Sequence, residues 1–382
     1  MSATAKNPSG QIDVNAGSGE RVSVDNISRE LNRLWGDISR QVEEQSGQIP
    51  LRTTILTLVV VARGRLEMRT AHEVLRGLAE QLPSRAIVIE IGKPGTPLDA
   101  AISANCRMLQ AGRATCYEVI EIRAPSDRLE AIPSLLVPLE LYDVPSFMWW
   151  VGDADFTSPG FMRLTQSAER IIVDSSRFDA APDALADFEA FLEGDDATCT
   201  GTDLNWARST SWRELIAQSF DHPLTQGLLN RIQRVEMGFD PSAEAQAMLI
   251  AGWLATRLNW SISGATSTSN ETTLRLRSRT GEVTVTLTNT SAAGVGLRSV
   301  RILAGSGSRS ARIAVRRRSD DLAAVAVEVA GLPRQERVVR DRQPALHELI
   351  GHELVVHTRD HVFDEALDFV SGVVMTLRSQ HG

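Results

Sequence analysis

Apolar residues at Val24, Ile27, Leu31, Leu34, Ile38 and Val42 recur at spacings of three and four, which puts them on one stripe of a helix spanning residues 23–48. Trp35 lies beside that stripe. This amphipathic helix is expected to pack on its own domain, with a partner-binding arm as the alternative. The pattern then changes to short runs. Residues 53–62 are apolar apart from threonines, as in a strand buried on both faces of a parallel sheet. Residues 84–91, 144–151 and 170–174 read as further strands, residues 68–81, 127–136 and 182–192 as helices, and residues 102–109 with 115–123 as a hairpin. Strands alternating with helices predict an α/β domain, doubly wound with a mainly parallel sheet, over residues 49–198.

Beyond residue 199 the period is two. Leu274 and Leu276 alternate with Arg275 and Arg277, and Ile313 and Val315 with Arg312 and Arg316. This predicts an antiparallel sheet with one wet, basic face. Ser211-Trp-Arg-Glu214 has the form of a capping box, so a helix is expected over residues 212–220 with Trp212 on its apolar side. Helices over residues 242–258 and 364–379 complete an α+β domain at residues 199–382. Residues 1–22 are small, polar and glycine-rich and read as a disordered tail without the apolar run of a signal peptide. The acidic stretch ending near Asp196 reads as a linker.

A chain of 382 residues suits two such domains. The net charge of −8 argues against general nucleic-acid binding, and no apolar run is long enough to span a membrane, so a cytoplasmic location is expected. The charge is unevenly placed. Residues 272–318 hold ten arginines and one acid, Glu282, which leaves −17 for the remainder. Arginine suits bidentate capture of carboxylate or phosphate, although a solvated sheet face carries it equally well.

Candidate chemistry is sparse. Gly92-Lys-Pro-Gly-Thr96 lacks phosphate-loop spacing, and neither GxGxxG nor GxSxG occurs where a cofactor or hydrolase site would need it. His347 and His352, and His352 and His357, stand five apart, which turns a helix about 140° past the first imidazole and spoils a metal pair. His357 and His361 have helical spacing but no evident third ligand. No catalytic, cofactor or metal residues are therefore expected. Tryptophan and arginine do cluster: Trp206, Arg208, Trp212 and Arg213 lie together, and Trp149 and Trp150 are adjacent. Both residue types are enriched at binding hot spots. Trp206, Arg208, Arg213, Trp149, Trp150, Arg275, Arg277, Arg312 and Arg316 are the candidate partner-binding residues. Cys106 and Cys116 flank the turn of the expected hairpin and form a candidate redox pair; two reduced cysteines are the plainer reading.

Several segments together resemble the glucose-6-phosphate dehydrogenase assembly protein (OpcA) family. They are Arg52-Thr-Thr-Ile-Leu-Thr-Leu-Val-Val-Val61, Pro83-Ser-Arg-Ala-Ile-Val-Ile89, Leu136-Val-Pro-Leu139, Val144-Pro-Ser-Phe-Met-Trp-Trp150 and Arg170-Ile-Ile-Val-Asp-Ser175. The sharpest are Asp203-Leu-Asn-Trp-Ala-Arg208 with Trp212-Arg213, and Ala251-Gly-Trp-Leu-Ala-Thr-Arg-Leu258. The resemblance implies a non-catalytic allosteric activator that binds the oligomeric dehydrogenase of the oxidative pentose phosphate pathway. It also implies thioredoxin as a further partner through redox control, although the three cysteines here match no family regulatory cysteines. The alternative reading of the same chain is a sugar-phosphate-binding enzyme or sensor.

Overall fold

The computed structural model describes residues 3–6, 12–46, 54–79, 82–108, 114–141, 143–195, 197–290, 296–356 and 358–381. The chain divides into two compact units, and neither is contiguous. The first comprises Met1–Val173, Asp195–Gly201 and Ala345–Thr358; the second comprises Asp174–Gly194, Thr202–Pro344 and Arg359–Gly382. The sequence places a single boundary at residue 198, because periodicity marks elements and not the unit they join.

The first unit is built on strands β1 (Ala3–Lys6), β2 (Ile12–Val22), β3 (Leu56–Arg63), β4 (Ser84–Gly92), β5 (Asp99–Met108), β6 (Ala114–Pro125), β7 (Ser146–Trp150) and β8 (Arg170–Val173). With β9 (Thr200–Asp203) they form one sheet in the order β1-β2-β5-β6-β4-β3-β7-β8-β9. The pairs β6–β4, β4–β3, β3–β7 and β7–β8 are parallel, whereas β1, β2 and β5 extend one side in antiparallel fashion. Leu58, Val59, Val60 and Val61 in β3 are fully buried, as its uninterrupted apolar run requires. Where the sequence reads a disordered tail, β1 and β2 are present. The alternation Ile12, Val14, Ala16 gives β2 a period of two inside a polar, glycine-rich segment.

The helix Ile27–Ser46 buries the stripe read from sequence, with Ile27, Leu31, Leu34, Ile38 and Val42 inside the first unit. Trp35 Nε1 donates to Glu118 Oε2 at 2.7 Å, and Arg85 bonds the other oxygen of that buried carboxylate. An arm presented to a partner would expose this stripe, so the helix is a structural element of its own unit.

The second unit holds β10 (Ile232–Phe239), β11 (Ser261–Ser267), β12 (Glu271–Ser278), β13 (Gly281–Asn289), β14 (Leu297–Ser306), β15 (Arg309–Ser319), β16 (Leu322–Val329) and β17 (Gln335–Arg340). Their order is β11-β12-β13-β10-β14-β15-β16-β17, antiparallel throughout except for β10 beside β13. One face is apolar: Val235, Met237, Leu274, Val285, Ile302 and Val315 are fully buried. The helices Glu244–Arg257 and His361–His381 pack together in the same unit, and Gly252 is needed where they cross. A Cβ on Gly252 would stand 2.6 Å from the carbonyl oxygen of Ala366. The helix expected over residues 182–192 is Ala181–Leu192, whose Leu185 and Phe188 are core residues, so the acidic stretch ending near Asp196 is not a linker throughout. The fold is thus an α/β sheet domain followed by an α+β domain with an antiparallel sheet.

Candidate partner interface

The segment richest in tryptophan and arginine folds inward. Asp203 ends β9 and caps the short helix Leu204–Arg208, accepting from the Asn205 N–H at 3.1 Å. The same carboxylate accepts from the Ser175 N–H at 2.9 Å and from the Ser175 hydroxyl at 2.5 Å. Asn205 Nδ2 donates to Ser175 Oγ at 3.0 Å. Arg208 then grips Asp174 with two nitrogens, at 2.6 and 2.8 Å, and also reaches Asn205 Oδ1. A bidentate guanidinium–carboxylate pair is the geometry arginine favours when buried.

The two acids respond differently to one environment. Asp203 is fully buried with no cation bonded to it among the described residues, and desolvation pushes its carboxyl up to about 6 against three hydrogen bonds that pull it down. Asp174 is also desolvated, but its bonds to Arg208 and Ser176 outweigh burial and hold it below the usual range.

Trp206 is 3% exposed. Its Nε1 donates to Asp360 Oδ2 at 2.8 Å, and its ring lies 5.8 Å from that of Phe363. Arg213 stacks over the ring, 3.3 Å from its centroid, and burial pushes its guanidinium down to about 10. The expectation that Trp206 is a surface anchor is therefore corrected, because the Asp203 cap turns the indole into its own unit. Arg208 and Arg213 are likewise held by internal partners. Trp149 and Trp150, at 1% and 5% exposure, are core residues of β7, and Trp150 packs on Phe161 at 5.0 Å. β7 lies between β3 and β8, and all five of its residues are buried.

Ser211 does not cap its helix. The helix runs Thr210–Gln218 from Ser209, and the Ser211 hydroxyl donates instead to Asp341 Oδ1 at 2.6 Å. Asp341 also meets Arg317, a buried ion pair at 3.2 Å, and that guanidinium lies 5.5 Å from the centre of the Trp212 ring. Sequence reading missed Asp174, Ser175, Asp341 and Asp360. The only local hint was that Asp174-Ser175 ends a strand, where side chains often close a network.

Exposed arginines gather on the sheet of the second unit. Arg275, Arg277, Arg312 and Arg316 all lie on the polar face of β12 and β15, as alternation predicts. Arg234 and Arg301 join them from β10 and β14. Cys106 and Cys116 are directly opposite in the register of β5 and β6; their side chains and the intervening turn are outside the described residues.

The rejected motifs are occupied by structure. Gly95 takes a positive φ of 72°, its N–H donates to Asp127 Oδ1 at 3.2 Å, and Thr96 Oγ1 donates to the Lys93 carbonyl. That turn is closed by a carboxylate and offers no cradle for phosphate. No group of three metal-ligating side chains occurs among the described residues, and His357 lies outside them. His347 packs on Gly77 in the first unit.

The chain combines an α/β unit with an α+β unit; Trp149, Trp150, Trp206 and Trp212 lie inside them, and the arginines of β12 and β15 are displayed. Residues 76–190 match a family described as the glucose-6-phosphate dehydrogenase subunit N-terminal domain, and residues 199–367 match its C-terminal domain. The chain belongs to this OpcA family. Among relatives, a chain from Synechocystis sp. named OxPP cycle protein OpcA is 32% identical over 166 residues, 43% of this chain and 34% of that one. One of the same name from Nostoc punctiforme is 34% identical over 163 residues, 42% of this chain and 34% of that one. The match thus spans about a third of the length of each relative. Solved structures of similar backbone course include an oxidoreductase from Sinorhizobium meliloti, with 10% identity, a TM-score of 0.47 and coverage of 86% and 98% of the two chains. The Gal80p super-repressor mutant from Saccharomyces cerevisiae gives 9% identity, a TM-score of 0.48 and coverage of 86% and 97%.

Proposed function

We propose that this chain is a non-catalytic assembly factor and allosteric activator of glucose-6-phosphate dehydrogenase in the oxidative pentose phosphate pathway. It binds the enzyme oligomer and stabilises its active form. The observation that carries this reading is the family match in both halves of the chain, under descriptions that name that enzyme. The geometry supports it: Asp203, held by Ser175 and Asn205, and Asp174, held by Arg208, are both committed to internal partners inside the second unit.

Activation requires tighter binding to the active conformation than to the inactive one. A coupling of roughly 1–3 kcal/mol changes affinity about 5- to 150-fold. Redox control, with thioredoxin as a second partner, belongs to the same proposal and would act at Cys106 and Cys116, which are register partners in β5 and β6. The setting is the cytoplasm, in keeping with the absence, among the described residues, of any helix long and apolar enough to cross a membrane.

Steady-state kinetics of the dehydrogenase with and without saturating chain test the proposal. The expected result is a lower KM for glucose 6-phosphate with the chain and no turnover by the chain alone. Unchanged kinetics and no co-elution would defeat it. Turnover or glucose 6-phosphate binding by the isolated chain would favour an enzyme or sensor.

A further inference from the structure

We propose that the polar face of the second unit's sheet is a docking surface for an acidic, flat protein surface, and that this partner is not a second copy of the chain. Resting on the function proposed above, the partner is the dehydrogenase.

The register assembles the face from residues far apart in sequence. One row across the sheet runs Arg275, Thr284, Arg234, Leu303, Arg312, Glu328. Two residues along, Thr286, Glu236, Arg301, Ala314 and Ala326 form the next. A third row passes through Gly238, Ser299, Arg316 and Ala324. The middle of the face is therefore low, floored by Leu303, Ala314 and Ala326, and arginines stand around it. They enclose a basin of ≈ 440 Å3 bounded by five arginines, among them Arg234 and Arg334, and only two acids, Glu236 and Glu328.

Those acids do not neutralise the face. Glu236 is shared by Arg301 at 3.4 Å and Arg234 at 3.9 Å, and Glu328 by Arg312 at 3.2 Å and Arg334 at 3.4 Å, while Glu336, opposite Ala326 at the end of the second row, meets Arg334 at 2.5 Å and Arg318 at 2.6 Å. Arg275 and Arg316 have no acidic partner among the described residues. The guanidiniums are half-exposed and pre-aligned on a rigid sheet, so little side-chain freedom is lost when carboxylates meet them.

Charge also selects the occupant. Two copies meeting through this face about a two-fold axis would set the same arginines against one another, which is repulsive. A nucleic-acid strand would meet Glu236 and Glu328, would find no aromatic platform in any of these rows, and would approach a chain of net charge −8. An acidic protein face meets the same net charge and the same two glutamates, but it needs no aromatic platform and can set carboxylates against Arg275 and Arg316 while placing neutral or basic groups over Glu236 and Glu328, which a uniformly charged phosphate backbone cannot.

The test pairs Arg275→Glu/Arg316→Glu with Arg65→Glu/Arg69→Glu. The second variant makes the same charge change on exposed arginines of the first unit's helix Gly64–Leu78. Binding to the purified dehydrogenase is titrated at low and high salt, with thermal melts to confirm folding. The expected result is wild-type affinity that falls with salt, about 10- to 100-fold weaker binding by the sheet variant with a flatter salt dependence, and near-wild-type binding by the control. Wild-type affinity in the folded sheet variant would overturn the docking surface and leave the proposed function standing. Equal weakening in both variants would overturn it too, since net charge would suffice. Failure of the wild-type chain to bind would sink the proposed function and this assignment with it. Concentration-dependent self-association lost only in the sheet variant would give the face to a second copy and overturn the proposal.

Discussion

Arg208 holds Asp174 through both terminal nitrogens, at 2.6 and 2.8 Å, and so joins the helix that follows β9 to the residue that follows β8. The carboxylate is nearly inaccessible and the pair is enclosed, so removing one partner strands a charge in a poor solvent. Arg208→Ala should destabilise the second unit by about 3–5 kcal/mol, whereas Asp174→Asn with Arg208→Leu should cost less than the sum of the single changes. Chemical denaturation followed by tryptophan fluorescence measures both. Strict additivity would mean that the two side chains act separately.

Asp203 gives the unit an unusual dependence on pH. Its folded pKa of about 6 lies above the ordinary 3.8, so the fold prefers the neutral acid and ionisation weakens it. Stability from this group therefore rises as pH falls from about 6 towards 4, by up to about 3 kcal/mol. Asp174 works in the opposite sense, but its contribution is lost only below its ordinary value of 3.8. Melting temperatures of the wild type and Asp203→Asn, compared between pH 4.5 and 6.5, should converge at one end and diverge at the other. Parallel curves would count against a titrating Asp203.

Trp206 and Trp212 should now fail alike. Both are buried, one bonded to Asp360 and stacked by Arg213, the other fully enclosed near Arg317. Either change to alanine should cost roughly 3–5 kcal/mol, and binding should fall only in proportion to unfolding. A Trp206→Ala protein with wild-type stability and weakened binding would restore the anchor.

Cys106 and Cys116 are register partners. Opposed residues on antiparallel strands have Cα atoms about 4.5–5.5 Å apart, within the range a disulfide spans. Mild oxidation should consume two of the three thiols. Cys199 should persist, because burial pushes its thiol up to about 11 and leaves little thiolate to react. Thiol counting decides the matter: three free thiols after oxidation would exclude the bridge.

Periodicity in the chain reports which face of an element is apolar, and that much was legible. The stripe of the helix Ile27–Ser46, the buried run in β3 and the wet arginines of β12 and β15 all lie where spacing puts them. Spacing does not report partners. Asp360 lies 154 residues from Trp206, and Asp341 lies 130 from Ser211. A hot-spot composition and a packed core draw on the same residues, and only the distant carboxylates distinguish them. For the same reason Ser211 resembled a cap until Asp341 claimed its hydroxyl.

Residues 345–358 bring the helix Leu346–Glu353 to the first unit, where Glu353 bonds Arg170 at 2.8 Å and Gly351 fits beside Leu78. On the ribosome, the first unit's sheet strands are thus made well before the helix that completes the unit. Arg170 waits for a further 183 residues before it finds its carboxylate, while the second unit's strands leave the tunnel in between. A nascent chain halted between the two halves would carry an open first unit, and the two could not be made as separate proteins by cutting the gene once.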